Sequence, residues 1–205
     1  PKKSYWGYDK IEMEDVIPVK DMGGNLTLTS PLGSKQLLTY GIDYRNGEME
    51  NESVWESGRK TIAKGRQSRW SVFGQDEIKL GKLLLNLSAR YDWFKTEDGA
   101  YTDSFDPTEN AKYGSKSDGM INPKIGLAYN ISDLTTIKLS VGKASDVPYL
   151  YSLFGTFECP PGKMRVGNPE IEPEQTMNYE VGIEQKFLKN FTANLFCFYN
   201  DISDW

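Results

Sequence analysis

The sequence predicts an all-β fold. It reads as part of an antiparallel, up-and-down transmembrane β-barrel, about eight strands of a larger one, with short turns at one end and long loops at the other. Three observations predict it. From Asn25 to Tyr199 apolar and polar residues alternate with period 2 in segment after segment, the mark of strands with one greasy face. In the clearest segment, LLLNLSARYDWF, the aromatic members of the apolar row, Tyr91 and Trp93, stand at its far end, where rings settle at a membrane interface. Short turns near residues 33, 81, 133 and 189 alternate with polar connections over 46–67, 95–119 and 144–176.

Taken in order, residues 1–23 lack a sustained period and read as the end of a preceding loop, with a ragged strand over 11–17 as the alternative; residues 24–205 read as barrel wall. NLTLTSP sets Leu26 and Leu28 against Asn25, Thr27 and Thr29. QLLTYGIDYR sets Leu38, Tyr40, Ile42 and Tyr44 against Thr39, Gly41, Asp43 and Arg45, and the two segments form a hairpin. SRWSVFGQDEIKL places Trp70, Val72 and Ile78 on one face with Gly74 and Asp76, an irregularity for which a bulge is expected. Leu83, Leu85, Leu87, Ala89, Tyr91 and Trp93 form the next row. INPKIGLAYNI and TIKLSVGKA contribute Ile125, Leu127 and Tyr129, then Ile137, Leu139 and Val141, with Lys138 and Lys143 expected on the opposite face. NYEVGIEQKF and FTANLFCFYNDI make the last hairpin around a turn at 188–190, although Phe196 and Phe198 break its polarity. Before it runs a connection of about 30 residues, and a structureless loop that long is usually functional.

Bulk properties narrow the classes. No apolar run approaches the roughly 20 residues of a membrane helix, whereas a barrel needs only alternate residues toward lipid. The net charge is −5, with scattered Lys and Arg, which leaves no footprint for nucleic acid. There is no histidine, and the two cysteines, Cys159 and Cys197, form no CxxC, so structural zinc, histidine-ligated haem and histidine triads are closed to this segment. No cofactor or metal is assigned, and no nucleophile and base stand together, so an enzyme is not expected. The chain starts in irregular sequence and stops just after a strand, and it is expected to be a fragment of a longer protein.

The segments SVGKASDVPYLYSLFG and GNPEIEPEQTMNYEVGIEQKF, followed by LFCFYNDISDW, resemble the distal barrel region of TonB-dependent outer-membrane receptors. The resemblance lies in a strand leading to Pro148, an aromatic run, then Asn168, Pro169, Ile171, Pro173 and Glu174, and a strand opening Asn178, Tyr179, Glu180 and Gly182. YGIDYR, FGQDEIKL and LSARYDW are similar to earlier strands of that barrel. The resemblance implies a wall segment of a barrel in the outer membrane of a Gram-negative bacterium, with short periplasmic turns and long extracellular loops. It implies uptake of a scarce nutrient, first of all a ferric siderophore, with haem or cobalamin as other ligands of the family. The implied partners are outer-membrane lipid, a plug domain that this chain lacks, the TonB energy-coupling complex reached through the missing N-terminus, and the small-molecule ligand. Ser145-Asp146-Val147 stands where the family carries an arginine-bearing motif, and the missing histidine turns the expectation from haem toward a siderophore. A passive porin or adhesin wall and a soluble β-sandwich binding module are the alternatives; the sandwich requires the greasy rows to be covered by a second layer.

Candidate ligand contacts fall in two groups. On the long loop, Tyr149, Tyr151, Phe154 and Phe157, with Met164 and Arg165, offer rings of large area and a guanidinium fork; the alternative is that they only pack the loop. On the face assigned to the lumen, Arg45, Arg90 and Asp92, with Asp43 and Glu180, point to substrate or plug, or else form a cross-strand charge network. Asn168, Pro169, Pro173 and Glu174 are assigned a structural role, two prolines fixing the descent into the next strand. The acidic run Glu97, Asp98, Asp103, Asp106 and Glu109 has hard oxygens but not the spacing of a calcium loop.

Overall fold

The computed structural model describes residues 2–5, 11–158, 164–187 and 191–203, with side chains from Glu14 onward except those of 156–166. The strands are β1 (Lys2–Tyr5), β2 (Ile11–Val16), β3 (Val19–Leu32), β4 (Gln36–Trp55), β5 (Lys60–Leu80), β6 (Leu83–Asp103), β7 (Ala111–Lys112), β8 (Lys116–Asn130), β9 (Thr135–Asp146), β10 (Thr156–Glu158), β11 (Met164–Val166), β12 (Glu174–Phe187) and β13 (Phe191–Ser203). One short helix, α1 (Leu150–Phe154), lies between β9 and β10. Eight strands, β3, β4, β5, β6, β8, β9, β12 and β13, stand side by side in chain order, each antiparallel to the next. The sheet does not close on itself. Among the described residues no further strand flanks β13 on one side, or β3 and the β1–β2 hairpin on the other.

The greasy rows face outward, and no described residue forms a layer over them. Leu26, Ile42, Val72, Tyr91 and Ile121 face one another across five strands, and all are about half exposed. Ile125, Leu139, Val181 and Leu195 continue the same surface. A soluble sandwich would bury these side chains under a second layer, so the single exposed layer removes that alternative. Tyr44, Trp70 and Trp93 align across three strands, and the Tyr44 and Trp70 rings lie 4.3 Å apart. Phe187 and Phe191 face each other at the opposite end, 5.8 Å apart. About ten residues of strand separate the two aromatic levels, and at ~3.3 Å per residue and a tilt of ~40° that is about 25 Å, the height of a lipid-facing belt.

Several expectations need correction, most for one reason. Residues 46–67 are not a loop: β4 and β5 run as 20- and 21-residue strands joined only by residues 56–59. Most of 95–119 likewise belongs to β6 and β8, with β7 and a single 3-10 turn, Pro107–Glu109, in between. A crossing strand needs only about 9–11 residues, so β4, β5 and β6 stand roughly ten residues proud of the membrane. There the outer face meets water and the inner face is buried largely by polar and small residues, Asn51, Ser53, Thr61 and Ala63 among them, so neither row is greasy and the sequence reads as loop. Within 1–23, read as loop with a ragged strand over 11–17 as the alternative, the described residues take the alternative and extend it: 2–5, 11–16 and 19–23 are strand. Val16 faces Glu52 and Val19 faces Met49 in one register, so β2 and β3 are a single edge strand interrupted at Ile17 and Pro18. Pro18 has no N–H for the ladder, but its carbonyl accepts from Glu50 N at 3.2 Å.

The long connection 144–176 is also structured: β9 continues to Asp146, α1 and the β10–β11 hairpin follow, and β12 starts at Glu174. The bulge expected near Gly74 is absent. Pairing of β5 with β6 is unbroken from Arg66 to Leu80, and the register shift lies between Lys64 and Arg66. Lys143 does not oppose Val141. Continuous register places it beside Met177 on the outward face. The short turns at 33–35, 81–82 and 131–134 share one end; the expected turn at 188–190, and Cys159, lie outside the described residues.

Candidate functional site

The loop after β9 folds inward over the lumen face of β4, β5 and β6, and a buried ring fixes it there. Phe154 is 3% exposed and packs with Met49 and Leu153, flanked by Leu150, Tyr151, Tyr113 and Ile171. The wall makes room by having no side chain: a Cβ on Gly65 would lie 2.3 Å from Phe154, and one on Gly99 2.5 Å from it. The register shift next to Gly65 and the positive φ of Asp98 (58°) next to Gly99 shape this seat. Polar ties complete it. Gln67 Nε2 donates to the Pro148 carbonyl at 3.1 Å, Asn168 N to the Ser152 carbonyl at 3.0 Å, and Lys116 Nζ to the Glu170 carbonyl at 3.3 Å.

Beside this seat, under the start of α1, a cavity of about 630 Å³ opens on the lumen face. Arg45, Gln67, Arg69 and Asp21 come from the wall, Asp15 from β2, and Tyr149 and Tyr151 from the loop; Val19, Met49, Val147 and Leu150 supply apolar area. Arg45 and Arg69 are directly opposite in the β4–β5 register, an arrangement that destabilises unless countered. Asp21 counters Arg45, bonding its Nε at 3.0 and 2.9 Å and pairing with its terminal nitrogen. Asp21 is also within electrostatic reach of Arg69, but the Arg69 Nε is buried without a hydrogen-bond partner. Asp15 Oδ1 is likewise buried and unpartnered. The cavity therefore presents one guanidinium N–H and one carboxylate oxygen without hydrogen-bond partners, and two phenols, a set suited to an anionic ligand that also carries N–H or O–H donors.

Of the residues singled out from sequence, Arg45, Tyr149 and Tyr151 meet at this cavity; Tyr149 is the most open, at 71% exposure. Phe154 is turned into the wall and takes the packing alternative. Phe157, Met164 and Arg165 lie on β10 and β11, and only their backbone is described. Arg90 and Asp92 form a separate charge network just below. Arg90 donates to Asp92 at 2.8 Å and to Ser71 at 2.6 Å and lies 3.5 Å from Asp43, while Asp92 also accepts from Ser71 and Asn122. Asn168 Oδ1 accepts from Glu170 N at 3.0 Å and Pro173 is buried, which makes the motif a turn leading into β12. Arg69 and Gln67 escaped the sequence reading. The signal was present, since both share the odd-numbered face of SRWSVFG opposite Arg45, but that face is defined only once the strand is known to extend through 67.

Above the cavity a second network ties the extracellular ribbons together. Asp103 accepts from Arg59 Nε, from Tyr101 at 3.4 Å and from the N–H groups of Phe105 and Asp106. The Arg59 guanidinium, chiefly, holds its carboxyl down at about 2, and burial pushes the Tyr101 phenol up to about 12. The acidic run is thus spent on protein partners: Asp103 on Arg59, Glu97 on Lys95, Asp106 on Thr108. No group of three or more acidic or cysteine side chains among the described residues could hold a metal ion.

Comparison with known proteins places this geometry. A family model described as TonB dependent receptor-like, beta-barrel, matches residues 4–205. An iron-regulated outer membrane virulence protein of Vibrio cholerae serotype O1 is 24% identical over 180 residues, 87% of this chain and 24% of that protein. Among solved structures, the copper transporter OprC aligns with a TM-score of 0.74 at 17% identity, over 94% of this chain and 32% of that one. The ferric yersiniabactin uptake receptor FyuA from Yersinia pestis aligns at 0.69 and 12% identity, over 95% and 30%. The FrpB iron transporter from Neisseria meningitidis aligns at 0.66 and 19%, over 92% and 29%. The chain thus spans about a quarter of the length of the curated relative it matches and about a third or less of these structures.

Proposed function

The chain belongs to the TonB-dependent receptor β-barrel family of the Gram-negative outer membrane, and from that premise we propose that the receptor to which it contributes captures a ferric siderophore at its outer mouth and carries it inward. The observation that carries this reading is the cavity under α1, where the Arg69 Nε has no hydrogen-bond partner and Tyr149 and Tyr151 close the other side. A guanidinium facing an anionic chelate, with phenol rings against its organic shell, binds through charge-assisted hydrogen bonds and ring contact. Iron-regulated and siderophore-taking relatives support the same reading. Strands outside this sequence close the barrel, a plug domain fills its lumen against the Arg90 and Asp92 network, and the TonB complex supplies the energy. The work is carriage, and no catalytic step belongs to it.

The test uses the full-length receptor, produced in a strain without other iron receptors and offered a panel of radiolabelled ferric catecholate, hydroxamate and carboxylate siderophores. One class is taken up in a TonB-dependent manner, and Arg69→Ala weakens its binding by about 10- to 100-fold, the loss of a hydrogen bond to a charged group. Uptake of none of the three, or uptake indifferent to Arg69, overturns the reading.

A further inference from the structure

The wall is not zipped along its whole height. β8 and β9 pair from Asn130 and Thr136 up to Lys124 and Gly142 and, among the described residues, no further. Yet β8 stays paired with β6 as far as Lys116, and β9 with β12 as far as Asp146. The two strands therefore part into a fork, with residues 116–123 of β8 as one tine and 143–146 of β9 as the other. Its apex lies inside the belt: Gly119 is opposite Trp93 at the upper aromatic level, and Pro123 stands four residues lower, about 10 Å deeper. Unpaired backbone at that depth is costly, and Pro123 reduces the cost because it has no N–H to leave bare. Gly142 is buried at the apex, where a Cβ would lie 2.9 Å from Lys124 Cγ, so the lysine stem closes the fork from the lumen side.

The neck just beyond the β9 tine shows what holds the fork open. Val147 is 6% exposed and packs with Phe94 and Met120 on the lumen face of β6 and β8. The Pro148 carbonyl beside it is held by Gln67, and Phe154 follows in its glycine seat. A strand whose continuation is drawn onto the inner face of the wall cannot also lie edge to edge with β8. We infer that the fork is one position of a two-position joint. When Val147 leaves the wall the tines zip, the register of Lys124 and Gly142 continues to bring Ile121 opposite Ser145, and ladder pairing replaces the docking contacts just lost. Asp146, Val147 and Pro148 also line the cavity under α1, so the joint sets its mouth: docked, the cavity is closed along that side, and zipped, it is open.

The experiment uses the full-length receptor in outer-membrane vesicles, with Cys159→Ser and Cys197→Ser, carrying one new cysteine pair at a time. Ile125→Cys with Val141→Cys, directly opposite below the apex, oxidises readily and shows that the wall has folded. Ile121→Cys with Ser145→Cys meet only when the tines zip, so their disulfide forms about ten-fold more slowly, and Phe154→Ala, which frees the neck, brings it to the control rate. Hydrogen exchange reads the same joint without added cysteines. Phe154→Ala slows exchange of the amides of 119–122 and 143–146 by about ten-fold, the effect of a hydrogen bond gained, whereas a merely loosened mouth would speed it. No disulfide between positions 121 and 145 in either background, formation in the unaltered loop as fast as the control, or unchanged or quicker exchange at the tines in Phe154→Ala overturns the inference.

Discussion

The lower and upper halves of β4, β5 and β6 are the same strands in the same ladders, yet different forces hold them. Below the Tyr44, Trp70 and Trp93 level, hydrocarbon lies against every second side chain, and exposed leucine, isoleucine and valine are at home there. Above it, the outer face is an ionic ladder, with Arg66 2.9 Å from Glu48 and Lys60 2.9 Å from Glu52, and stability comes from the buried inner face. That inner face holds Phe154 in its glycine seat and Asp103 on Arg59. The contrast teaches that strand and pattern are separable: a strand alternates in hydropathy where one face meets hydrocarbon, and not where a buried face is built of polar and small residues.

Five substitutions test this division, from the largest expected effect down. Phe154→Ala empties the seat and costs about 3–5 kcal/mol, the range for a buried phenylalanine. The loss should be confined to the loop, so limited proteolysis cuts within 147–173 while the barrel keeps its unheated mobility. Global unfolding by that variant would refute the separation. Leu139→Arg, six residues above its turn on the lipid face, costs about 2–4 kcal/mol in urea unfolding from lipid vesicles, whereas Ser68→Arg, two residues above Trp70 on the same face of β5, costs about 0–1. Equal costs would mean that the belt does not end at the aromatic level.

Asp103→Asn removes the charge that Arg59 and two backbone N–H groups bind, and about 1–3 kcal/mol of local stability goes with it. The same group sets a pH dependence. Its carboxyl titrates at about 2 in the folded chain and in the ordinary carboxylate range when unfolded, so its contribution is complete above about pH 4 and disappears as the pH falls toward 2. Hydrogen exchange at the tip of the β4–β5 ribbon should quicken across that window, and an unchanged rate would discount the network. Smallest is Arg45→Ala. Its pair with Asp21 is exposed, 60% on the arginine side, and solvent screening leaves the urea midpoint almost unmoved when it is lost.

How much of this was legible follows the same division. The eight wall strands could be read, because alternation of Leu26 and Leu28 or of Leu83 through Trp93 records the two solvents directly. The upper strands could not, since their buried inner row is mostly polar or small, Asn51, Ser53, Thr61 and Thr96 among it, and carries no greasy trace of a face. Arg45, Tyr149 and Tyr151 were found as chemistry-bearing residues near the mouth, but their convergence on one cavity depends on the inward fold of α1, which Gly65 and Gly99 permit and no local pattern announces. Arg69 became visible only through its place opposite Arg45. Lys143 was assigned to the wrong face because a lysine beside an apolar row suggests a reversal, whereas at the interface its stem can lie in the belt and its ammonium among headgroups.

The bare flanks of the sheet have a practical consequence. Along β13 and along the lower part of β3, no described residue pairs with the amides and carbonyls on one side; β13 is rich in Phe, and the lower part of β3 in Leu and Thr. Produced by itself, such a chain is self-adhesive: one copy's last strand can zip onto another's first, growing ribbons rather than closing a cylinder.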